Sequence, residues 1–184
     1  MYYLSKGIDV SIASNLYLPL ANLYYLVGVK KHRTNDLDSA IDYYTKAELS
    51  YKKSYELWDE KEVDYNLAST YYAFALTYYY KGEFQKVMES SRNSVEIRLK
   101  YDDQAKVISC YNLLGSVLLV QDEYEKAEAY FSDGLATAII INDSIQMANF
   151  YNNLANIYSN TKEYEKALDY YQIVLKMKKN DPSE

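Results

Sequence analysis

The sequence predicts an all-α fold, an α-solenoid built from antiparallel helix hairpins, and two observations support this. A pattern of bulky and small residues recurs about every 40 residues, with internal spacings of three and four that define one face of a helix. The chain also has only five Gly and two Pro among 184 residues, too few for a turn-rich β fold. This length is sufficient for one domain, or one run of repeats, with a sizeable core.

Four aligned copies of the pattern extend roughly from residue 21 to residue 181. The first, second and fourth copies begin at Tyr24, Tyr71 and Tyr151. Short polar stretches divide each copy into two halves, so each copy is predicted to be a helical hairpin with a turn of a few residues. The third copy consists of Tyr111, Leu114, Gly115, Leu118, Tyr124, Ala127, Phe131 and Gly134.

One position of the pattern is small in every copy, and it predicts where the two helices of a hairpin approach most closely. A side chain extending beyond Cβ there would push the hairpin open, at a cost of about 1–3 kcal/mol. Ala127 and Ala167 are expected to have the matching role on the second helix. The small position is occupied by Gly28, Ala75, Gly115 and Ala155.

The motif Tyr111-x-x-Leu114-Gly115, followed by Ala127-x-x-x-Phe131, resembles the signature of the tetratricopeptide repeat, with Tyr111 in place of the usual Trp. The period exceeds the family's basic length of about 34 residues. Extended copies of this kind are similar to those of spindle-orientation adaptors, kinesin light chains and bacterial peptide-sensing regulators. The resemblance implies a right-handed superhelix whose first helices line a concave groove. HEAT and armadillo repeats, which share a period near 40, stay the structural alternative, but they do not explain the small positions.

The chain is predicted to be a single repeat domain over residues 1–184, cut out of a larger protein. Gly7 aligns with Gly134, so residues 1–15 are interpreted as the tail of a preceding repeat. The last helix carries Tyr171 and Val174 with no further helix to cover them, which also suggests a homodimer through the terminal helices. The repeats are expected at about 16–60, 61–102, 103–142 and 143–180.

Composition excludes several classes of function. The net charge of −6 disfavours nucleic acid as a partner, because there is no cationic surface to hold a phosphate backbone. The longest apolar runs, such as 136–141, fall far short of a membrane span, so no membrane insertion by this segment is expected, and no signal peptide is predicted. Localisation is left open, with the cytoplasm favoured. A lone Cys and a lone His exclude Cys-cluster and His-cluster metal sites, and no cofactor is predicted.

No catalytic constellation is found, so the chain is predicted not to be an enzyme. His32, at a helix end, is interpreted as a cation near the negative end of the helix dipole, with a contact to an acidic partner as the alternative. Cys110 is interpreted as a buried thiol rather than a nucleophile. The carboxylates of Glu123, Glu125 and Glu128 are expected on a solvated helix face.

The groove implied by the resemblance is predicted to be aromatic at one end and rich in amides at the other. Asn side chains in the fourth copy fall at i, i+3, i+4, i+7 and i+11, a single stripe on one helix. An amide both donates and accepts hydrogen bonds, which suits an extended peptide backbone. A merely solvated inner wall is the alternative interpretation. The predicted binding residues are Tyr25, Tyr72, Tyr79, Asn112, Asn149, Asn152, Asn156 and Asn160.

The predicted function is therefore non-enzymatic binding of a protein or peptide, as the interaction or sensory part of a bacterial signalling protein. Relatives that clamp a terminal carboxylate use Lys and Arg where this sequence has Ser109 and Leu113, so a carboxylate clamp is disfavoured. The alternative function is structural, with self-assembly through the exposed faces of the terminal helices.

Overall fold

The computed structural model describes Gly7 and residues 16–179, and every regular element among residues 16–179 is an α-helix. The predicted all-α helical repeat fold is confirmed. The interpretation of residues 1–15 as the tail of a repeat lies outside the described residues, except for Gly7. The helices of residues 16–179 are α1 (Tyr17–Arg33), α2 (Leu37–Ser54), α3 (Glu60–Lys81), α4 (Phe84–Lys100), α5 (Gln104–Val120), α6 (Tyr124–Ile140), α7 (Ser144–Asn160) and α8 (Tyr164–Lys179).

Successive helices are joined by short turns whose residues match their backbone conformations. Asp36, Asp59 and Asp143 cap α2, α3 and α7 by accepting a hydrogen bond from a first-turn N–H group. The longest connection, residues 55–59, includes the half-exposed Trp58. Asn and Asp tolerate left-handed backbone better than most residues, and they supply four of the six described positions with positive φ. These positions are Asn35, Gly82, Asp102, Asp122, Asn142 and Lys162.

The small position of the pattern lies where the sequence predicts it, between the two helices of a hairpin. A Cβ built on Gly28 would lie 2.5 Å from Tyr44 Cε1, and one built on Gly115 would lie 2.5 Å from Phe131 Cε1. In the hairpin α3–α4, Ser91 occupies the repeat position that holds Tyr44 and Phe131 in these two hairpins. The small position opposite it is Ala75 instead of Gly. Gly therefore stands where the opposite helix presents a buried aromatic ring.

The chain divides after Tyr101 into two compact units. In the first unit, Tyr44 on α2 packs edge-on against Phe74 on α3, with ring centroids 5.5 Å apart. In the second unit, Phe131 on α6 packs on Phe150 on α7, with ring centroids 6.3 Å apart. The same kind of contact thus joins consecutive hairpins within each unit. The division into repeats and domains stays a prediction.

Candidate functional site

Six asparagines of α5 and α7 form the feature that we call the amide face. Phe150, Leu154 and Ile157 bury one side of α7, and the asparagine stripe flanks that side on the half-buried and exposed part of the helix. Asn152 and Asn153 are half-buried, while the remaining three on α7 are exposed. The amide face consists of Asn112, Asn149, Asn152, Asn153, Asn156 and Asn160.

Two hydrogen bonds orient the amide face. Asn153 Nδ2 donates to Asn112 Oδ1 at 2.9 Å, which joins α7 to α5. The Tyr171 hydroxyl of α8 donates to Asn156 Oδ1 at 2.7 Å. Each bond uses only the carbonyl oxygen of Asn112 or Asn156, so the two N–H donors of either amide are left for another molecule. Asn149 Nδ2 lies 3.5 Å from Gln146 Oε1, at the limit of a hydrogen bond.

The predicted aromatic residues lie on α1 and α3 of the first unit. Tyr79 is half-buried and packs against Tyr80 and Phe84, with ring centroids 6.1 Å and 6.3 Å away. Tyr72 is also half-buried. Tyr25 packs 5.9 Å from Tyr44, and burial raises the pKa of its hydroxyl despite the nearby Arg98. The Tyr25 ring is therefore partly packed within the first unit, whereas a groove residue was expected to be open to a ligand. Its role in binding stays a prediction.

His32 connects the last turn of α1 to α3. Its Nδ1 lies 2.9 Å from Thr77 Oγ1, and Thr77 donates its own proton to the Ala73 carbonyl at 2.8 Å. The network therefore assigns a proton to Nδ1 of His32. The ring also contacts the edge of Tyr80, with centroids 5.4 Å apart. The sequence placed His32 at a helix end, where it lies, but did not reveal these partners.

Sequence reasoning missed a buried carboxylate at the start of α3. Asp64 accepts hydrogen bonds from Tyr55 Oη at 2.5 Å, Tyr101 Oη at 2.8 Å and Lys100 Nζ at 2.9 Å. Burial by itself raises the pKa of Asp64, but these three donors outweigh it and hold the pKa below its ordinary value of 3.8. The available signal was an Asp directly beside the buried Val63 in the apolar pattern of α3.

The thiol and the three carboxylates considered in the sequence analysis have the following positions. Cys110 is buried in α5. Glu128 is not merely solvated, because its carboxylate accepts a hydrogen bond from Tyr158 Oη at 2.5 Å. Glu123 pairs with Lys126, and Glu125 is exposed. Within residues 16–179 no three potential ligands converge to hold a metal ion. None of the described helices is both long and apolar enough to traverse a bilayer.

Two comparisons with known proteins identify similar sequences and folds. Residues 106–180 match the tetratricopeptide repeat family. The apo form of RapI is 24% identical with a TM-score of 0.75, over 85% of this chain and 55% of RapI. The Rap conjugation gene regulator of plasmid pLS20, solved with the Phr* peptide, is 22% identical with a TM-score of 0.70, over 90% of this chain and 44% of the regulator. No curated protein sequence matches the chain.

A eukaryotic structure has the same fold. Repeats of a putative kinesin light chain from Podosopora anserina are 10% identical with a TM-score of 0.77, over 98% of this chain and 86% of that one. At these identities the likeness shows the helical repeat fold alone. The chain spans about half the length of RapI.

Proposed function

This chain carries tetratricopeptide repeats at residues 106–180 and keeps their fold through its other described helices, and on that premise we propose that it binds a protein or peptide without catalysing a reaction. We place it in the interaction or sensory part of a bacterial signalling protein, because it shares its fold with two Rap proteins. One of these was solved with a peptide bound. The observation that carries the proposal is the oriented amide face.

The ligand of the amide face is an extended peptide segment recognised through its main chain. An extended segment presents unpaired N–H and C=O groups, and the carboxamides can satisfy both kinds. The bonds from Asn153 and Tyr171 hold two of these amides in place before a ligand arrives, which lowers the entropic cost of binding. Because the amide face has no charged member, we expect its affinity to depend weakly on salt. A nucleic acid would show the opposite behaviour.

The test begins with a peptide selected on the wild-type protein from a random-sequence phage library. Its affinity is then measured by calorimetry for wild type and for the double variant Asn152→Ala plus Asn156→Ala. Each lost hydrogen bond is worth about 0.5–1.5 kcal/mol, so we expect affinity to fall by about 5-fold to 150-fold. Gln172→Ala, which removes an exposed amide of α8, is the matched control and should leave the affinity unchanged.

A second variant tests whether Asn156 has to be held in place. Tyr171→Phe keeps the ring but removes the hydroxyl that donates to Asn156 Oδ1. We expect weaker binding with an unchanged thermal midpoint. If the selected peptide binds the Asn152 and Asn156 double variant as tightly as wild type, the amide face is not the binding site.

Self-assembly is the second candidate function, and exposed apolar residues of α8 favour it. Leu168 and Leu175 are 57% and 59% exposed, and no described residue covers them. Sedimentation at increasing concentration would reveal a dimer, and Leu168→Asp with Leu175→Asp should remove it. Val174 is unsuitable for this test because it is only 5% exposed, so a charge there would disrupt the hairpin itself.

A further inference from the structure

Three of the four described hairpins share a pair of tyrosines, one on each helix. In every case the first tyrosine of the repeat pattern packs on a tyrosine of the following helix at nearly the same distance and tilt. In the pair α3–α4 the first tyrosine, Tyr71, is kept, but the second position is Ser90. The three complete pairs are Tyr24 with Tyr43 (6.2 Å, 42°), Tyr111 with Tyr130 (6.1 Å, 43°) and Tyr151 with Tyr170 (5.7 Å, 39°).

A cavity lies where the ring is absent. Its volume is about 290 Å³, it is open to the surface, and residues of helices α2, α3 and α4 of the first unit line it. Tyr71, Phe74 and Tyr78 give it an aromatic floor, and Ser90 and Asn93 form part of its polar wall. A cavity of about 150 Å³ is large enough to hold benzene, so this one has room for a phenol ring.

The equivalent place between α7 and α8 shows how a ring sits there. Tyr170 stacks on Tyr158 with centroids 5.4 Å apart and an interplanar angle of 20°. Tyr158 corresponds to Tyr78, and each carries a lysine ammonium 5.0 Å from its ring centroid, Lys166 and Lys86 respectively. Both hairpins thus carry the tyrosine and the cation, but the first has no tyrosine at position 90. It also differs in that Phe74, where α7 has Leu154, stacks on Tyr78 with centroids 5.9 Å apart and an interplanar angle of 9°, and in that Ser91 stands in place of Tyr171.

We propose that this cavity binds one tyrosine side chain presented by a partner protein, with its ring in contact with Tyr71 and Tyr78 as Tyr170 contacts Tyr151 and Tyr158. The opening includes Asn93 and Glu89, whose oxygens can accept a hydrogen bond from the phenol hydroxyl. Glu48, on the other wall, already accepts hydrogen bonds from Tyr71 at 3.0 Å and Lys52 at 2.7 Å. The site is made of residues other than the amide face and does not depend on the function proposed for that face.

N-acetyltyrosinamide is a soluble probe for the test, and NMR signals of Ser90 and Asn93 report on the cavity. We expect saturable shifts with a Kd of about 1–10 mM, in the range of a small ligand of this size. N-acetylphenylalaninamide should bind more weakly because it has no hydroxyl. N-acetylleucinamide is the control, and equal binding of it would overturn the assignment to an aromatic side chain.

Two variants make the test specific to the cavity. Ser90→Tyr supplies the missing ring from within the chain and should abolish the shifts, and Ser90→Phe is a second filling variant in case the first folds poorly. Tyr170→Ser should create a second site, with new saturable shifts at Tyr158. The proposal is overturned if wild type shows no saturable shifts at Ser90 and Asn93, or if the shifts persist in a folded filling variant.

Discussion

The hairpins α3–α4 and α7–α8 occupy equivalent places in the repeat pattern, and 80 residues separate their matching positions. Their packing residues are conserved between them: Tyr71 matches Tyr151, and Tyr78 matches Tyr158. Their outward positions are not. The residues on the two first helices that differ in chemistry are Tyr72 and Asn152, Leu76 and Asn156, and Tyr80 and Asn160.

The difference shows which positions the fold constrains. A buried position has to match the volume and shape of its neighbours, so both first helices keep Tyr71 and Tyr151, Ala75 and Ala155, and Tyr78 and Tyr158. An outward position on the first helix makes few such contacts, so the residue type there can be suited to a ligand instead. In α3 those positions are mostly aromatic, and in α7 they are amides. The second helices depart from this rule: α4 has Ser90, Ser91 and Ser94 where α8 has Tyr170, Tyr171 and Val174.

The largest expected effect follows from Phe74, which contacts both Tyr44 and Tyr78. Phe74→Ala should lower the free energy of unfolding by about 3–5 kcal/mol, through lost burial and a new cavity. Urea unfolding followed by circular dichroism measures this. The exposed Gln85 of the neighbouring helix α4 is the control, and Gln85→Ala should change stability by less than about 0.5 kcal/mol. A small effect at Phe74 would mean that α3 is not packed as described.

Exchanging the residues at positions 90 and 170 tests the comparison directly. Tyr170→Ser removes two ring contacts and should destabilise the protein by about 1–3 kcal/mol, while Ser90→Tyr should stabilise it by about 0.5–1.5 kcal/mol. Thermal unfolding of both variants beside wild type gives the two signs. Destabilisation by Ser90→Tyr would show that the first hairpin is not shaped to receive a ring.

The two hairpins should also differ in how their stability depends on pH in the acid range. Asp64 is buried in the first turns of α3, and its counterpart in α7 is the uncharged Ser144. Since the pKa of Asp64 is lower in the folded state than its ordinary 3.8, its ionised form stabilises the fold above that pH, and this stabilisation is lost as the pH falls through the folded-state pKa.

Urea unfolding at pH values from about 5 to about 2 measures this loss. Asp64→Asn should give a shallower dependence on pH than wild type, because it has no carboxylate to protonate. Identical slopes for wild type and Asp64→Asn would contradict the lowered pKa.

The smallest effect concerns the amide face itself. Asn favours helix less than Ala does, so Asn152→Ala should raise the free energy of unfolding by a few tenths of a kcal/mol. Ser159→Ala, at an exposed position of the same helix, is the control for the effect of helix propensity alone. A loss of stability would mean that Asn152 makes a contact within the fold, which would weaken the case for a ligand there.

Helical periodicity and the small positions were sufficient to predict the fold, because both reflect packing contacts that recur in every repeat. Gly28 and Gly115 could be placed from the pattern, and each lies against the predicted partner helix. The asparagine stripe could be placed in the same way, since it needs only the period of one helix.

Contacts between residues far apart in sequence could not be predicted. His32 meets Thr77, and Asp64 meets Lys100, 45 and 36 residues along the chain. The first contact depends on the exact offset between two hairpins and the second on how the two ends of one hairpin meet, and no periodic pattern encodes either. The bond from Tyr171 to Asn156 was missed for a different reason, because Tyr171 had been assigned to an uncovered apolar face.

The division into two units supplies each unit with its own reporter. The chain has a single tryptophan, Trp58, which lies in the first unit, and a single cysteine, the buried Cys110 of the second. Indole fluorescence therefore follows melting of the first unit, while the rate at which a thiol reagent labels Cys110 follows opening of the second. If the thiol becomes reactive at urea concentrations that leave the fluorescence unchanged, the repeats come apart in two steps rather than one.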